Sequence, residues 1–162
     1  MILYLMQHGE ATSKDEDPER PLTDRGREEA GRVARHAASL CPSALSIYHS
    51  GKLRAQQTAA ILAEAVESGR EPEFMEGIAP MDDPAMAKAA VEESAGRAGS
   101  AETWALVGHL PHLSRLASLL LTGDPSTEPL AFCVGSRVRL DNEAGSWQVR
   151  WMITPEIASA AY

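Results

Sequence analysis

Apolar residues occur in this sequence as short runs, three of which stand out, at residues 2–6, at 45–48 (interrupted by Ser46) and at 104–107. Apolar runs of this length, bounded by polar residues, are typical of strands buried on both faces of a parallel sheet. We therefore predict three central strands there, with a further short strand near residues 73–75.

The segments between these runs have apolar residues at helical spacing, and each has a start signal. We predict helices at residues 24–40, 50–66 and 84–95, with a fourth starting at Pro111. Thr23 and Ser50 are placed to cap the first two, because a hydroxyl can accept from the free backbone N–H groups. Pro84 follows Asp83 at the start of the third, and Pro42 ends the first. The buried stripes are Ala55, Ala59, Leu62 and Val66, and then Leu113, Leu116, Ala117 and Leu120.

The end of the chain has a different pattern. Residues 134–140 and 147–153 alternate between apolar and polar around the polar segment 141–145, which predicts an antiparallel hairpin. Strands that alternate with helices elsewhere predict an α/β protein with a mostly parallel sheet and helices on both faces. The 162 residues fit a single domain that spans residues 1–162.

Charge and composition narrow the function. The net charge of −8 is opposite in sign to that of a general nucleic-acid binder, and it disfavours binding to anionic membranes. If the protein handles phosphate, it does so in a local pocket. Cys41 and Cys133 are isolated, so we expect reduced core thiols, no disulfide and no zinc site.

Targeting signals are also missing from the pattern. The first apolar run lacks a basic leader and is too short for a signal peptide. The longest later run, residues 116–121, is too short to span a bilayer. We expect a cytoplasmic protein without a membrane segment.

Polar residues with useful chemistry follow each of the three strands. The first strand leads into Gln7 and His8, the second into Ser50 and then Arg54, and the third into His109. Ligands of open α/β sheets bind at the carboxyl ends of the strands, so these side chains are expected to converge there. A neutral imidazole can attack phosphorus, a guanidinium matches phosphate oxygens, and a protonated second histidine can stabilise the transferred group.

The remaining histidines and carboxylates are assigned less active roles. We assign His36 and His49 to structure or surface, and His112 to the pocket rim or the surface. The carboxylates expected on a solvated face are Glu16, Asp17, Glu19, Glu28 and Glu29.

Four blocks of the sequence resemble the histidine phosphatase superfamily, which includes the phosphoglycerate mutases. The blocks are Gln7-His8-Gly9-Glu10-Ala11, Arg20-Pro21-Leu22-Thr23 with Gly26, residues 50–59, and Val107-Gly108-His109-Leu110-Pro111. Their order and spacing match over residues 2–121. Little room is left after Glu76 for the insertion of the mutases, so the chain looks most like the SixA-type phosphohistidine phosphatases.

The resemblance implies a three-layer α/β/α sandwich and a phosphatase that needs no metal or cofactor. It implies that His8 accepts the phosphoryl group and that Arg54 and His109 bind it. The implied substrate is phosphohistidine on a signalling or phosphotransfer protein. Two alternatives stay open: a phosphatase for a small phosphoester, and a catalytically weak module that binds a phosphorylated ligand.

Two positions depart from the family pattern. Gln7 stands where the family has arginine, so one phosphate-binding cation is replaced by an amide, and Gly51 stands where proline is usual. The general acid is not determined, since Glu76, Asp82 and Asp83 all lie in the segment that supplies it in relatives. An imidazole leaving group needs less acid catalysis than an alcohol, because the pKa of histidine is about 6.5.

Overall fold

A six-stranded sheet forms the centre of the molecule, whose computed structural model describes residues 1–41, 45–97 and 102–160. The strands are β1 (Ile2–Gln7), β2 (Leu45–His49), β3 (Glu73–Phe74), β4 (Thr103–Gly108), β5 (Arg137–Glu143) and β6 (Ser146–Ile153). Their order across the sheet is β3-β2-β4-β1-β5-β6. β3, β2, β4 and β1 are parallel, which confirms the predicted mostly parallel sheet.

The predicted hairpin at the end of the chain is confirmed. β5 runs antiparallel to both β1 and β6, and the turn between β5 and β6 places Ala144 and Gly145 at φ of 53° and 84°. The first strand of the hairpin begins at Arg137 instead of residue 134. Gly135, at φ 76°, turns the chain just before β5, and its N–H donates to the carbonyl oxygen of His8.

Helices cover both faces of the sheet, as predicted. They are α1 (Asp24–His36), α2 (Leu53–Ala65), α3 (Pro84–Ala95), α4 (His112–Thr122) and α5 (Pro155–Ala160). α1, α2 and α5 pack on one face against Tyr4 and Met6, and α3 and α4 pack on the other against Leu3 and Leu5. Alternate residues of β1 thus serve opposite layers, which completes the three-layer α/β/α sandwich.

Several predicted helix ends were wrong. Thr23 does cap α1, accepting from the N–H of Gly26, but α1 ends at His36 and residues 38–40 form a 3-10 turn. Pro42, predicted to end this helix, lies outside the described residues. α2 begins only at Leu53, and Ser50 makes a different hydrogen bond, described below. The short helix α5 was not predicted.

The described residues contain no helix long and apolar enough to cross a membrane. Both cysteines are free thiols. The expectation of core thiols was wrong for Cys133, which is exposed, whereas Cys41 is partly buried and lies 2.8 Å from the guanidinium of the fully buried Arg137.

Candidate active site

Three neighbouring strands end at the same edge of the sheet and bring distant parts of the sequence together. β2, β4 and β1 are adjacent and parallel, so their carboxyl ends share one crevice. His8 follows β1, Ser50 follows β2 and His109 follows β4, while Arg54 lies in the first turn of α2. The fold therefore places His8, Arg54 and His109 side by side; that they act in catalysis remains a prediction.

The backbone beside His8 fixes the tautomer of its ring. Nδ1 lies 2.7 Å from the carbonyl oxygen of Gly9, which can only accept, so Nδ1 carries the proton and donates it. Nε2 is then left with its lone pair, and Nε–H of Arg54 donates to it at 3.2 Å. Burial lowers the pKa of His8 to about 4; the Gly9 carbonyl opposes this shift, and the charges of Arg54 and Arg20 add to it. At neutral pH, His8 therefore presents an uncharged nucleophilic nitrogen.

His109 lies against His8, with 4.9 Å between the ring centroids. Its Nε2 lies 2.5 Å from the hydroxyl oxygen of Ser50, and its Nδ1 is buried without a partner among the described residues. Burial, with smaller contributions from nearby charges beginning with His8 and Arg54, lowers the pKa of His109 to about 3. A protonated His109 beside a transferring phosphoryl group stays a prediction, because this value describes the ring without that dianion. Its neutral ring can still donate one N–H, and a bound phosphoryl dianion would favour the charged form.

Ser50 lies at the expected edge of the sheet, but its role differs from the predicted one, which was to cap α2. The structure buries it and directs its hydroxyl to His109. A serine just before a helix has the pattern of a cap whether or not its hydroxyl caps the helix. Only the position of β4 beside β2 shows that a histidine lies within reach of this hydroxyl.

A threonine connects α2 to the loop that carries His8. The hydroxyl of Thr58 donates to the carbonyl oxygen of Arg54 at 2.7 Å and accepts from the N–H of Gly9 at 3.1 Å. Thr58 is fully buried, so these bonds are shielded from water. One side chain therefore sets the distance between the helix that bears Arg54 and the backbone that holds His8.

Arg20 adds a second cation to the site. It has a φ of 53°, and its Nε–H donates to the carbonyl oxygen of Thr12. Burial is the largest cause that lowers the pKa of His8 and the pKa of Arg54. The charge of Arg20 lowers both pKa values further, and for His8 its contribution is smaller than that of Arg54. In the sequence, Arg20 stands out only as part of a motif. The structure gives this acidic protein a local concentration of positive charge, suited to an anionic ligand.

Gln7 lies at the carboxyl end of β1 with hydrogen-bonding capacity to spare. Its backbone N–H donates to Ser136, and its side chain is only 7% exposed. The side-chain oxygen is buried and has no partner among the described residues. The amide oxygen can only accept, so the NH2 group of the same side chain is the one that could donate to a phosphoryl oxygen.

The backbone conformation explains why position 51 is a glycine and not the proline of the family pattern. Gly51 has a φ of 82°, a conformation that proline cannot adopt. A Cβ there would also lie 3.1 Å from the ring of Phe74. The Gly51 N–H donates to Nδ1 of the buried His49, which agrees with the structural role predicted for His49.

The prediction for His112 was wrong, since it lies neither on the rim nor on the surface. It is the first residue of α4 and is fully buried, and burial lowers its pKa. The pattern could not show this, because a polar first residue of a helix is usually solvated. His36 is the last residue of α1 and is partly buried.

Two of the three candidate general acids have structural roles. Asp82 accepts from the N–H of Ala79, and Asp83 caps α3 by accepting from the N–H of Ala85. Glu76 is exposed and has no hydrogen bond or ion pair with the described residues. None of these three carboxylates forms a hydrogen bond with His8, Arg54 or His109. The geometry of the described residues therefore does not show which of them is the general acid.

Metal ligands are not clustered in this part of the protein. Within residues 1–41, 45–97 and 102–160, no group of three or more His, Cys, Asp or Glu residues could hold a metal ion. The site as described is a pair of neutral imidazoles flanked by guanidinium groups, an arrangement that complements a phosphoryl group.

Comparison with known proteins gives matches along most of the chain. A model of the histidine phosphatase superfamily (branch 1) matches residues 3–82. An uncharacterized protein of Picosynechococcus sp. is 36% identical over 126 residues, which is 76% of this chain and 74% of that protein.

Solved structures share the fold at low sequence identity. The protein histidine phosphatase SixA complexed with tungstate superposes with a TM-score of 0.82 at 24% identity, covering 96% of this chain and 97% of that one. A mycobacterial glucosyl-3-phosphoglycerate phosphatase complexed with VO3 gives 0.74 at 17% identity, covering 93% and 97%. The predicted resemblance in fold is confirmed.

Proposed function

Since this chain belongs to the histidine phosphatase superfamily, we propose that it is a phosphatase that removes the phosphoryl group from phosphohistidine on a signalling or phosphotransfer protein. The observation that carries the proposal is the state of His8. Its Nδ1 proton is held by Gly9 and its Nε2 lone pair faces Arg54, with a pKa of about 4 that keeps the ring neutral.

The proposed reaction has two steps. Nε2 of His8 attacks phosphorus, the N–P bond of the substrate breaks, and the departing imidazole takes up a proton. Water then attacks phosphorus, the N–P bond to His8 breaks, and inorganic phosphate leaves. Arg54, His109 and Gln7 hold the phosphoryl oxygens through both steps, in water-poor surroundings where such bonds are strong.

The choice of phosphohistidine is supported by the leaving group. No carboxylate hydrogen bonds with the catalytic side chains within the described residues. The pKa of histidine is about 6.5, so an imidazole can leave without a strong general acid to protonate it, whereas an alkoxide needs one. The similarity to SixA, named a protein histidine phosphatase, points the same way.

A second candidate is a phosphatase for a small phosphoester. The observation that favours it is the shared fold with the glucosyl-3-phosphoglycerate phosphatase. The third alternative, a module that binds a phosphorylated ligand without turnover, is favoured by Gln7 but leaves the neutral Nε2 of His8 without a purpose.

One assay separates the three candidates. Turnover is measured on an aryl phosphate and on a protein phosphorylated on histidine. We expect faster turnover of the phosphohistidine protein; a preference for the ester supports the second candidate. Binding of both without turnover of either would sink the proposal of an enzyme.

We expect the activity to be independent of metal ions, because His8 and His109 are committed to the phosphoryl group. Prolonged treatment with EDTA should leave the rate unchanged. Loss of activity that a divalent ion restores would show that the site has been misread.

Position 7 gives a sharper test of the site, through the substitution Gln7→Arg. A charged donor contributes roughly 1.5–3 kcal/mol, against about 1 kcal/mol for a neutral one. If the gain appears in the transition state, the rate should rise roughly 3- to 30-fold, at about 1.4 kcal/mol per tenfold.

The same substitution should change the pH dependence. A cation beside His8 disfavours the imidazolium, so Gln7→Arg should lower the pKa of His8 further below about 4. The acid limb of the rate profile, measured on an acid-stable aryl phosphate, should move to lower pH. If the folded variant shows neither change, Gln7 does not face the phosphoryl group.

A further inference from the structure

Four large apolar side chains are exposed on segments that adjoin the candidate active site. We refer to Phe74, Met81, Met86 and Leu110 as the apolar rim. Their side chains are 63%, 78%, 53% and 39% exposed. Single exposed apolar residues are common, but several around one pocket indicate a binding surface.

Each member is held near the catalytic residues by the fold. Phe74 ends β3, pairs with His49 and contacts Gly51, the residue after Ser50. Leu110 directly follows His109 in the chain.

The two methionines belong to the loop and helix that follow β3. The carbonyl of Ile78 lies against Gly108, so this loop packs on the residue before His109. Met81 lies in the turn that follows, and Met86 packs on Gly77 from the first turn of α3. Methionine side chains adapt to the shape of a partner, which suits a docking surface.

The segment that carries Phe74 and Met81 is acidic, whereas the nearest lysines, Lys52 and Lys88, lie on the neighbouring segments that follow Gly51 and Met86. Residues 73–83 contain four carboxylates, Glu73, Glu76, Asp82 and Asp83, and no lysine or arginine. The cations Arg20 and Arg54 lie in the pocket, where the phosphoryl group would bind. A partner that fits both features carries its phosphorylated residue on an apolar surface bordered by lysine or arginine.

We propose that the apolar rim docks a protein substrate, with the phosphohistidine entering the pocket from an apolar, basic-edged surface of that protein. The inference rests on the proposed function, and it adds a specificity-determining surface outside the phosphoryl pocket. A small substrate would fill the pocket without reaching the rim, so the rim distinguishes protein substrates from small ones.

The test compares two substrates that contain the same bond. One is free phosphohistidine, and the other is a helical histidine phosphotransfer domain phosphorylated on its histidine with phosphoramidate. The test variant is the double substitution Met81→Ser with Met86→Ser. The matched control is Leu40→Ser with Val149→Ser, whose side chains are 51% and 41% exposed. Leu40 precedes β2, at the edge of the sheet opposite the active site, and Val149 lies on the outer strand β6.

We expect the rim variant to lose about tenfold or more in kcat/KM on the phosphorylated domain, mainly through KM, which corresponds to about 1.4 kcal/mol or more of lost interface contact. Its rate on free phosphohistidine should stay within about twofold of the wild type, since both residues lie outside the phosphoryl pocket. The control should behave as wild type on both substrates. Met81→Leu with Met86→Leu, which keeps the surface apolar, should restore activity on the domain.

The contrary outcomes are distinct. Equal loss on both substrates, or no loss on either, overturns the docking surface, and so does a wild type that hydrolyses only free phosphohistidine. If the leucine variant fails to rescue a folded protein, the effect does not come from apolar contact and the inference fails. If the wild type hydrolyses neither form of phosphohistidine, the proposed function itself fails.

Discussion

Replacement of His8 by alanine is expected to abolish both turnover and the covalent intermediate. In the wild type, brief reaction with phosphorus-labelled substrate followed by an alkaline quench should leave label on the protein. The linkage should be stable in base and labile in acid, as expected for phosphohistidine. The Gly9 carbonyl holds the proton of His8 on Nδ1 and so leaves the lone pair on Nε2, where Arg54 donates to it, whereas Nε2 of His109 bonds with Ser50.

A matched control removes a histidine elsewhere. His36→Ala changes a partly buried ring at the end of α1 and should leave labelling and rate at the level of the wild type. Full activity in His8→Ala, or label that moves to another residue without loss of rate, would contradict the mechanism.

The substitution of His8 should also change the response of the fold to pH. The pKa of His8 is lowered to about 4 in the folded protein, whereas the pKa of a histidine in the unfolded chain is about 6.5. The unfolded state therefore binds more protons between these values, and stability is lost as pH falls through this window. His8→Ala removes that penalty, so its melting temperature should fall less than that of the wild type between pH 7 and pH 5.

Much of the fold could be predicted because its signals are local. Short apolar runs mark β1, β2 and β4, and the apolar stripe of α4 matches its buried residues Leu113 and Leu116. Parallel strands share one edge, which is sufficient to bring His8 and His109 together. These features depend on residue type and spacing, which a sequence contains.

The missed features depend on which partner a polar group finds in the folded state. Ser50 could cap a helix or bond a histidine, and the choice follows from the position of β4 beside β2. His112 is buried at the start of α4 and interacts with the backbone of Gly77 in the loop after β3, a contact between segments far apart in sequence. The low pKa of His109 could not be predicted either, because burial, its largest cause, depends on the packing around the ring.

Arg54→Ala is expected to reduce turnover strongly while leaving the fold intact. The guanidinium supplies charged hydrogen bonds of roughly 1.5–3 kcal/mol each. Two such bonds to a phosphoryl group in the transition state correspond to a loss of roughly 10²- to 10⁴-fold in rate.

Stability should be unaffected or slightly increased by the same change. Arg54 forms no ion pair with a carboxylate among the described residues, and burial and the charge of Arg20 lower its pKa, which indicates a cation held in an unfavourable position. We expect the free energy of unfolding to change by less than about 1 kcal/mol. Arg25→Ala, which removes an exposed arginine paired with Glu29, is the matched control and should alter neither rate nor stability appreciably.

A pH profile distinguishes a role in the site from a structural one. Arg54 lowers the pKa of His8, because its positive charge disfavours the imidazolium. Its removal should therefore raise that pKa, and the acid limb of the residual activity should move to higher pH, opposite to the shift expected for Gln7→Arg. Arg54→Lys keeps a positive charge but loses the planar pair of donors, so it should recover part of the pH shift and little of the rate. A large fall in melting temperature with an unmoved acid limb would show that Arg54 supports the fold and does not act on the phosphoryl group.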